Sequence, residues 1–161
     1  MTLLCKEKTL KKTVQLITGS CLLAVSSSLF AAINNSPVGL WKTIDDNTGE
    51  AKSLVYIQQQ DDKLIGTVKK ILTTGKQDSL CIECKGDLKD QKIEGMTIIW
   101  DMQPKEDPEK YDNGKILDPE TGKIYSANMT VQNNGENLKV RGYIGFSLLG
   151  RSQIWERVHR Q

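Results

Sequence analysis

Cys81 and Cys84 sit in LCIECKGD and offer three kinds of chemistry. A Cys-x-x-Cys pair can exchange electrons, supply half of a tetrahedral metal site or close a small disulfide. Zinc asks for four ligands. The sole histidine is His159, and the only other cysteines, Cys5 and Cys21, lie near the start of the chain. A thioredoxin-like redox pair opens a helix after a strand. Here the pair lies in GKQDSLCIECKGDLKDQK, a polar, Gly-containing stretch. A structural Cys81–Cys84 disulfide is the expected state, with no metal and no cofactor. Redox and metal use are the alternatives.

Other residues with chemical potential are weaker. No Ser-His-Asp set is expected on the one histidine, the terminal His159, and no Gly-rich phosphate loop follows a strand. Asp118 in LDPETG reads as turn chemistry. Asp45, Asp46, Asn47 and Glu50 lack the ligand order of a calcium loop and read as a hairpin turn. The expectation is a protein that is not an enzyme. More informative is RSQIWERV, where Arg151, Gln153, Trp155 and Arg157 share one face of a strand and Ile154 and Val158 the other. That face either meets solvent or lines a mouth in which arginine pairs with an anionic or polar group.

Compartment bears on the cysteines. Residues 1–32 carry Lys6, Lys8, Lys11 and Lys12 against Glu7, then the run VQLITGSCLLAVSSSLF, then AAINNSP. This is the three-part pattern of a secretory signal peptide, with cleavage expected near Ala31 or Ala32. A retained anchor or a lipoprotein at Cys21 are alternatives, but the run is short and broken by Gly19, Ser20 and Ser26 to Ser28. Export to the periplasm or beyond removes Cys5 and Cys21 and favours disulfide formation. It also changes the charge. The whole chain has 22 basic and 20 acidic residues, whereas residues 33–161 keep 18 and 19, a formal charge of −1. No clustered basic face remains to argue for nucleic acid.

The elements that must position these residues read as strands. VGLWKTI (38–44), SLVYIQQ (53–59), LIGTVKKIL (64–72), MTIIWDM (96–102), KILD (115–118), KIYSANMTV (123–131), LKVRGYIGF (138–146) and SQIWERV (152–158) are separated by turn clusters such as DDNTGE, PETG and QNNGE. About eight short strands without a helical period predict one all-β antiparallel domain over 33–161. Alternation puts Leu138, Val140, Gly142 and Ile144 on one side and Met96, Ile98, Trp100 and Met102 on one side. Glycines such as Gly39, Gly66, Gly142, Gly145 and Gly150, in or beside strands, mark the bends that a closed barrel needs.

Several segments together carry a family resemblance: GLWKTIDDNTGEAKSLVYI, LCIECKGD, IEGMTIIW, NGKILDPETGKIYSANMTV and RGYIGFSLLGRSQIWERV. Over about residues 37–158 the chain resembles the exported bacterial family catalogued as domain of unknown function 2147. The resemblance implies a small lipocalin-like barrel and no established activity. Gly39-Leu40-Trp41 also resembles the lipocalin Gly-x-Trp of the first strand, in which a Trp closes the barrel floor under an Arg from a late strand. Arg157 or Arg141 would play that part.

A barrel of this size has room for one small ligand. The expected ligand is small and hydrophobic or amphipathic, a fatty acid or envelope lipid. The candidate contacts are Trp41, Ile98, Trp100, Arg141, Tyr143, Arg151 and Trp155, with Ile98, Trp100 and Ile144 against hydrocarbon and Arg141, Tyr143 or Arg151 at the head group. The alternative is a filled barrel with an interaction role, docking a membrane surface or envelope protein through Phe146, Leu148 and Leu149 in FSLLG, unless that stretch packs on the barrel end.

Overall fold

A computed structural model describes residues 35–145 and 149–159, which fall within one unit, Ala32–Gln161. The signal peptide expected over residues 1–32 lies outside the described residues.

Eight strands follow the chain in order: β1 Gly39–Ile44, β2 Ala51–Gln60, β3 Lys63–Ile71, β4 Thr97–Pro104, β5 Lys110–Asp118, β6 Lys123–Gln132, β7 Asn137–Tyr143 and β8 Gly150–Arg157. Each pairs antiparallel with its neighbour, and β8 returns to β1 to close the barrel. Closure removes the exposed strand edges that invite aggregation. The seam is short: Trp41 pairs with Arg157 and Lys42 with Glu156. It is reinforced by a 2.6 Å Lys42–Glu156 ion pair and by the Val158 amide donating to the Leu40 carbonyl at 2.9 Å.

In an up-and-down barrel, alternate connections share an end. The β1–β2, β3–β4 and β5–β6 connections therefore meet at one rim, the mouth. The N-terminal segment and the β2–β3, β4–β5 and β6–β7 connections meet at the other, the floor. The β3–β4 connection is by far the longest and contains a single 3₁₀ turn, Gly86–Leu88.

The core follows the period of two. Trp41, Val55, Ile57, Val68, Ile99, Met102, Met129, Val131, Leu138 and Trp155 are almost completely buried. Burying one such side chain contributes about 1.5–3 kcal/mol. Both buried indoles keep a hydrogen-bond partner, as amphipathic rings require. Trp41 Nε1 donates to the Pro37 carbonyl at 2.7 Å, and Trp155 Nε1 donates to Gln153 Oε1 at 3.3 Å.

Strand β4 departs from simple alternation. Leu64 pairs with Met102 but Gly66 with Ile99, so three steps on β4 oppose two on β3. The extra residue is a bulge at Asp101, whose φ is +57°. Met102 turns inward beside Ile99, and Trp100 is put on the other face. The expected common side for Trp100 and Met102 is thereby corrected: a bulge shifts the phase by one residue. Strand β5 also starts earlier than KILD. It includes Lys110–Gly114, and Asn113, at φ +57°, absorbs the irregularity. Asp and Asn tolerate this left-handed geometry better than other side chains.

Cys81 and Cys84 form a disulfide, with Cα atoms 5.3 Å apart. Both are buried, at 0% and 3% exposure, which makes the pair a packing element. Cys81 Sγ sits 3.2 Å from the Pro119 carbonyl oxygen. The loop is tied by Cys81 N–H to Gln91 O at 2.9 Å, Asp90 N–H to Cys81 O at 3.1 Å and Ile93 N–H to Ser79 O at 3.0 Å. It rests on the β5–β6 turn at Gly122, whose φ is +64° and where a Cβ would collide with the Glu83 carbonyl.

Candidate functional site

The floor of the barrel is sealed. Trp41 is fully buried, and the Arg157 guanidinium lies over its ring, 4.2 Å from the centroid. Arg157 donates to the carbonyls of Ser36 at 2.6 Å and Val38 at 3.1 Å, and through Nε to Gly135. These bonds bind the N-terminal segment, the β6–β7 turn and β8 into one plug. Burial lowers the Arg157 pKa from its ordinary value, and the nearby Glu136 carboxylate opposes that shift. Above the plug, the two tryptophans, Met102, Met129 and Leu138 fill the interior.

The mouth is open. A cavity of about 800 Å³ lies there, bounded by the β1–β2, β3–β4 and β5–β6 connections. Such a volume falls within the range of small-molecule sites. Its apolar part comprises Val68, Ile71, Ile93, Ile98, Leu80, Ile82 and Pro119. Val68, Ile71 and Ile98 are buried, so they form a base rather than a rim. Ser53, also on the lining, exchanges a 2.8 Å hydrogen bond with the buried Thr43 hydroxyl. The rim is charged: Asp45, Glu50, Asp78, Glu83, Asp118 and Glu120, with Lys52 and Lys76. Lys52 pairs with Glu120 at 2.8 Å, and Asp78 pairs with Lys92 at 3.0 Å. Asp45 accepts from the Asn47 and Thr48 amides, which hold its carboxyl below the usual range, the Thr48 amide contributing most. Asp118 accepts from the Glu120 amide and the Thr121 hydroxyl.

These positions decide where the sequence-derived contacts fall. Ile98 lies on the mouth cavity. Trp41 and Trp155 are in the packed interior. Trp100 lines a separate groove of about 600 Å³ on the outer wall, with Ile65, Ile124, Asp101, Lys63 and Lys115. Arg141 and Tyr143 alternate with the inward Val140 and Gly142, which places them on the outer face of β7, and Arg141 donates to Ser152 at 3.0 Å. Arg151 is on the inward face of β8 at the mouth, where it pairs with Asp46, and Gln153 donates to the same carboxylate at 3.2 Å. The shared face of Arg151, Gln153 and Trp155 is thus an interior face. Ile154, on the other side, is 43% exposed. Ile144 lies beyond the end of β7 and is 66% exposed. Phe146 and Leu148 lie outside the described residues, and Leu149 is 76% exposed.

Sequence reasoning missed most of the cavity lining. Glu50, Glu83 and Asp118 are far apart in the chain and read singly as loop residues. Their signal is topological: all three lie on or next to odd-numbered connections of one meander, which must converge at one end.

The family described as "Uncharacterized protein conserved in bacteria (DUF2147)" matches residues 39–157. The chain belongs to this family. Comparison with curated proteins finds no match. Among solved structures, the DUF2147 chain is similar to protein HP1028 from the human pathogen Helicobacter pylori, described as belonging to the lipocalin family. The TM-score is 0.68 at 17% identity, over 77% of this chain and 84% of that one. At that identity the likeness shows the fold: the DUF2147 domain is a lipocalin-like barrel.

Proposed function

We propose that this chain is an exported binding protein of the bacterial cell envelope, which holds one small apolar or amphipathic molecule in the mouth of its barrel. The carrying observation is the cavity of about 800 Å³, with Val68, Ile71 and Ile98 at its base and charged side chains at its rim. An apolar base removes hydrocarbon from water, which contributes about 25 cal/mol per Å² buried. A polar rim leaves a head group solvated. Export is supported by the leader pattern of residues 1–32 and by the Cys81–Cys84 disulfide, which an oxidising compartment favours. The lipocalin-like architecture supports the same reading, because a closed barrel of eight strands has space for one small ligand.

Native mass spectrometry of the protein purified from its own cell envelope, followed by solvent extraction, tests this reading. The expected result is a bound mass that extraction releases, and that Ile98→Trp, which fills the cavity, removes without unfolding the barrel. A bare polypeptide mass, together with no saturable binding of any apolar probe, overturns it.

A second reading rests on a different observation. Ile144 and Leu149 stand exposed at one hairpin tip, joined by a backbone hydrogen bond of 3.4 Å. Paired exposed aliphatic side chains suit contact with a membrane surface or an envelope protein. Cross-linking in cells distinguishes the two: Ile144→Ser with Leu149→Ser abolishes a specific adduct if the tip docks, and leaves the pattern unchanged if it does not.

A further inference from the structure

The mouth cavity also carries information about the charge of its occupant. This inference rests on the ligand-binding reading above and deepens it. The site is the cavity itself; its rim selects the head group. After the Lys52–Glu120 and Asp78–Lys92 pairs are matched, Asp45, Glu50, Glu83 and Asp118 remain against Lys76. Asp45 accepts from the Asn47 amide and Asp118 from the Glu120 amide, within their own turns. Glu50 and Glu83 form no ion pair among the described residues, and neither does Lys76. Arg151, at the same end of the barrel but outside the cavity lining, is engaged by Asp46.

We propose that the cavity takes a cationic amphiphile, an aliphatic chain ending in an ammonium or guanidinium group, with the chain against Val68, Ile71 and Ile98 and the cation at the rim beside Glu50 and Glu83. A cleft lined by one sign of charge over low-dielectric walls concentrates ions of the opposite sign. An alkyl carboxylate would bring a like charge to a rim whose carboxylates outnumber its lysines, with Lys76 alone set against Asp45, Glu50, Glu83 and Asp118. Exposed ion pairs contribute about 0.2–1 kcal/mol each, so two or three such contacts separate cation from anion by about tenfold.

The test uses three probes with the same twelve-carbon chain, each below its micelle concentration: dodecyltrimethylammonium, dodecanoate and the uncharged dodecyl maltoside. Calorimetric titration of the purified protein, expressed from its full-length sequence, gives each affinity. The expected order is cation above neutral above anion, with cation over anion by about tenfold and the gap shrinking as salt is raised. Glu50→Gln with Glu83→Gln should bring the ratio to about twofold or less. Asp61→Asn with Asp62→Asn, on the β2–β3 turn at the opposite end, should leave it unchanged. Equal binding of the three probes, or preference for dodecanoate, overturns the charge inference and leaves the cavity reading standing. A cation preference that survives in the Glu50/Glu83 variant, or is lost in the Asp61/Asp62 variant, also overturns it, because the head group then lies elsewhere. Binding of none of the probes overturns the ligand-binding reading and the charge inference together.

Discussion

The Arg157 guanidinium carbon stands 4.2 Å from the centre of the Trp41 ring, on the two residues whose backbones pair across the closing seam. One contact therefore closes the sheet, caps the core and anchors the N-terminal segment through the Ser36 and Val38 carbonyls.

Removing that guanidinium should loosen the floor as a unit. Arg157→Ala should lower unfolding stability by about 2–4 kcal/mol, combining the lost cation–π contact with unsatisfied carbonyls. Arg157→Lys should recover only part of the loss, because an ammonium is neither planar nor forked. Urea denaturation of the three proteins measures the order. Equal stability of the arginine and alanine forms would show that the plug does not hold the barrel closed.

The disulfide should act locally. Its ring is so small that the entropy model gives about 2 kcal/mol. Cys81→Ala with Cys84→Ala should cost about that much, and amide exchange should accelerate within residues 79–95 while β6 and β7 stay protected. Uniform acceleration across all strands would contradict a local staple.

Two glycines should respond differently to a methyl group. At Gly122, φ is +64° and the added Cβ would strike the Glu83 backbone, so Gly122→Ala should cost about 2–4 kcal/mol. At Gly114 the nearest obstacles are the terminal atoms of Met102, a flexible side chain, so Gly114→Ala should cost about 1 kcal/mol. Thermal or urea unfolding of the two variants checks the ranking, and the reverse ranking would mean that the disulfide loop is not seated on the β5–β6 turn.

Acid should destabilise the domain. The carboxyls of Asp45, Asp101 and Asp107 lie below the ordinary 3.8 in the folded state. The causes are the Thr48 and Asn47 amides for Asp45, the Lys63 hydrogen bond for Asp101, and the Lys110 and then Glu109 hydrogen bonds for Asp107. A depressed folded pKa contributes stability that is present above the unfolded value and lost as pH falls through the folded one. The unfolding midpoint should therefore fall progressively below about pH 4. Asp45→Asn should flatten part of that slope, and an unchanged slope in this variant would exclude the β1–β2 turn as a contributor.

Much of the barrel was legible beforehand. The strands follow from the period of two and the turn residues alone, since strands and hairpins are local. The family resemblance reached the barrel class and the Trp41 floor. The site was less legible. Trp100 and Met102 have the spacing of one face, yet a single left-handed residue, Asp101, parts them. The face of Arg151, Gln153 and Trp155 could be read as solvent or pocket, and only the barrel's closure, with Asp46 folding over the rim, made it interior.

By itself, then, the sequence determined an antiparallel all-β domain, a Cys-x-x-Cys pair close enough to bridge, and turns rich in Asp, Asn and Gly, because each depends on residues close in the chain. The tertiary structure decided that the floor is filled and the mouth hollow, and that Glu50, Glu83 and Asp118 share one rim. Cavities and local fields arise where distant loops converge, and their convergence is set by the closing of β8 on β1.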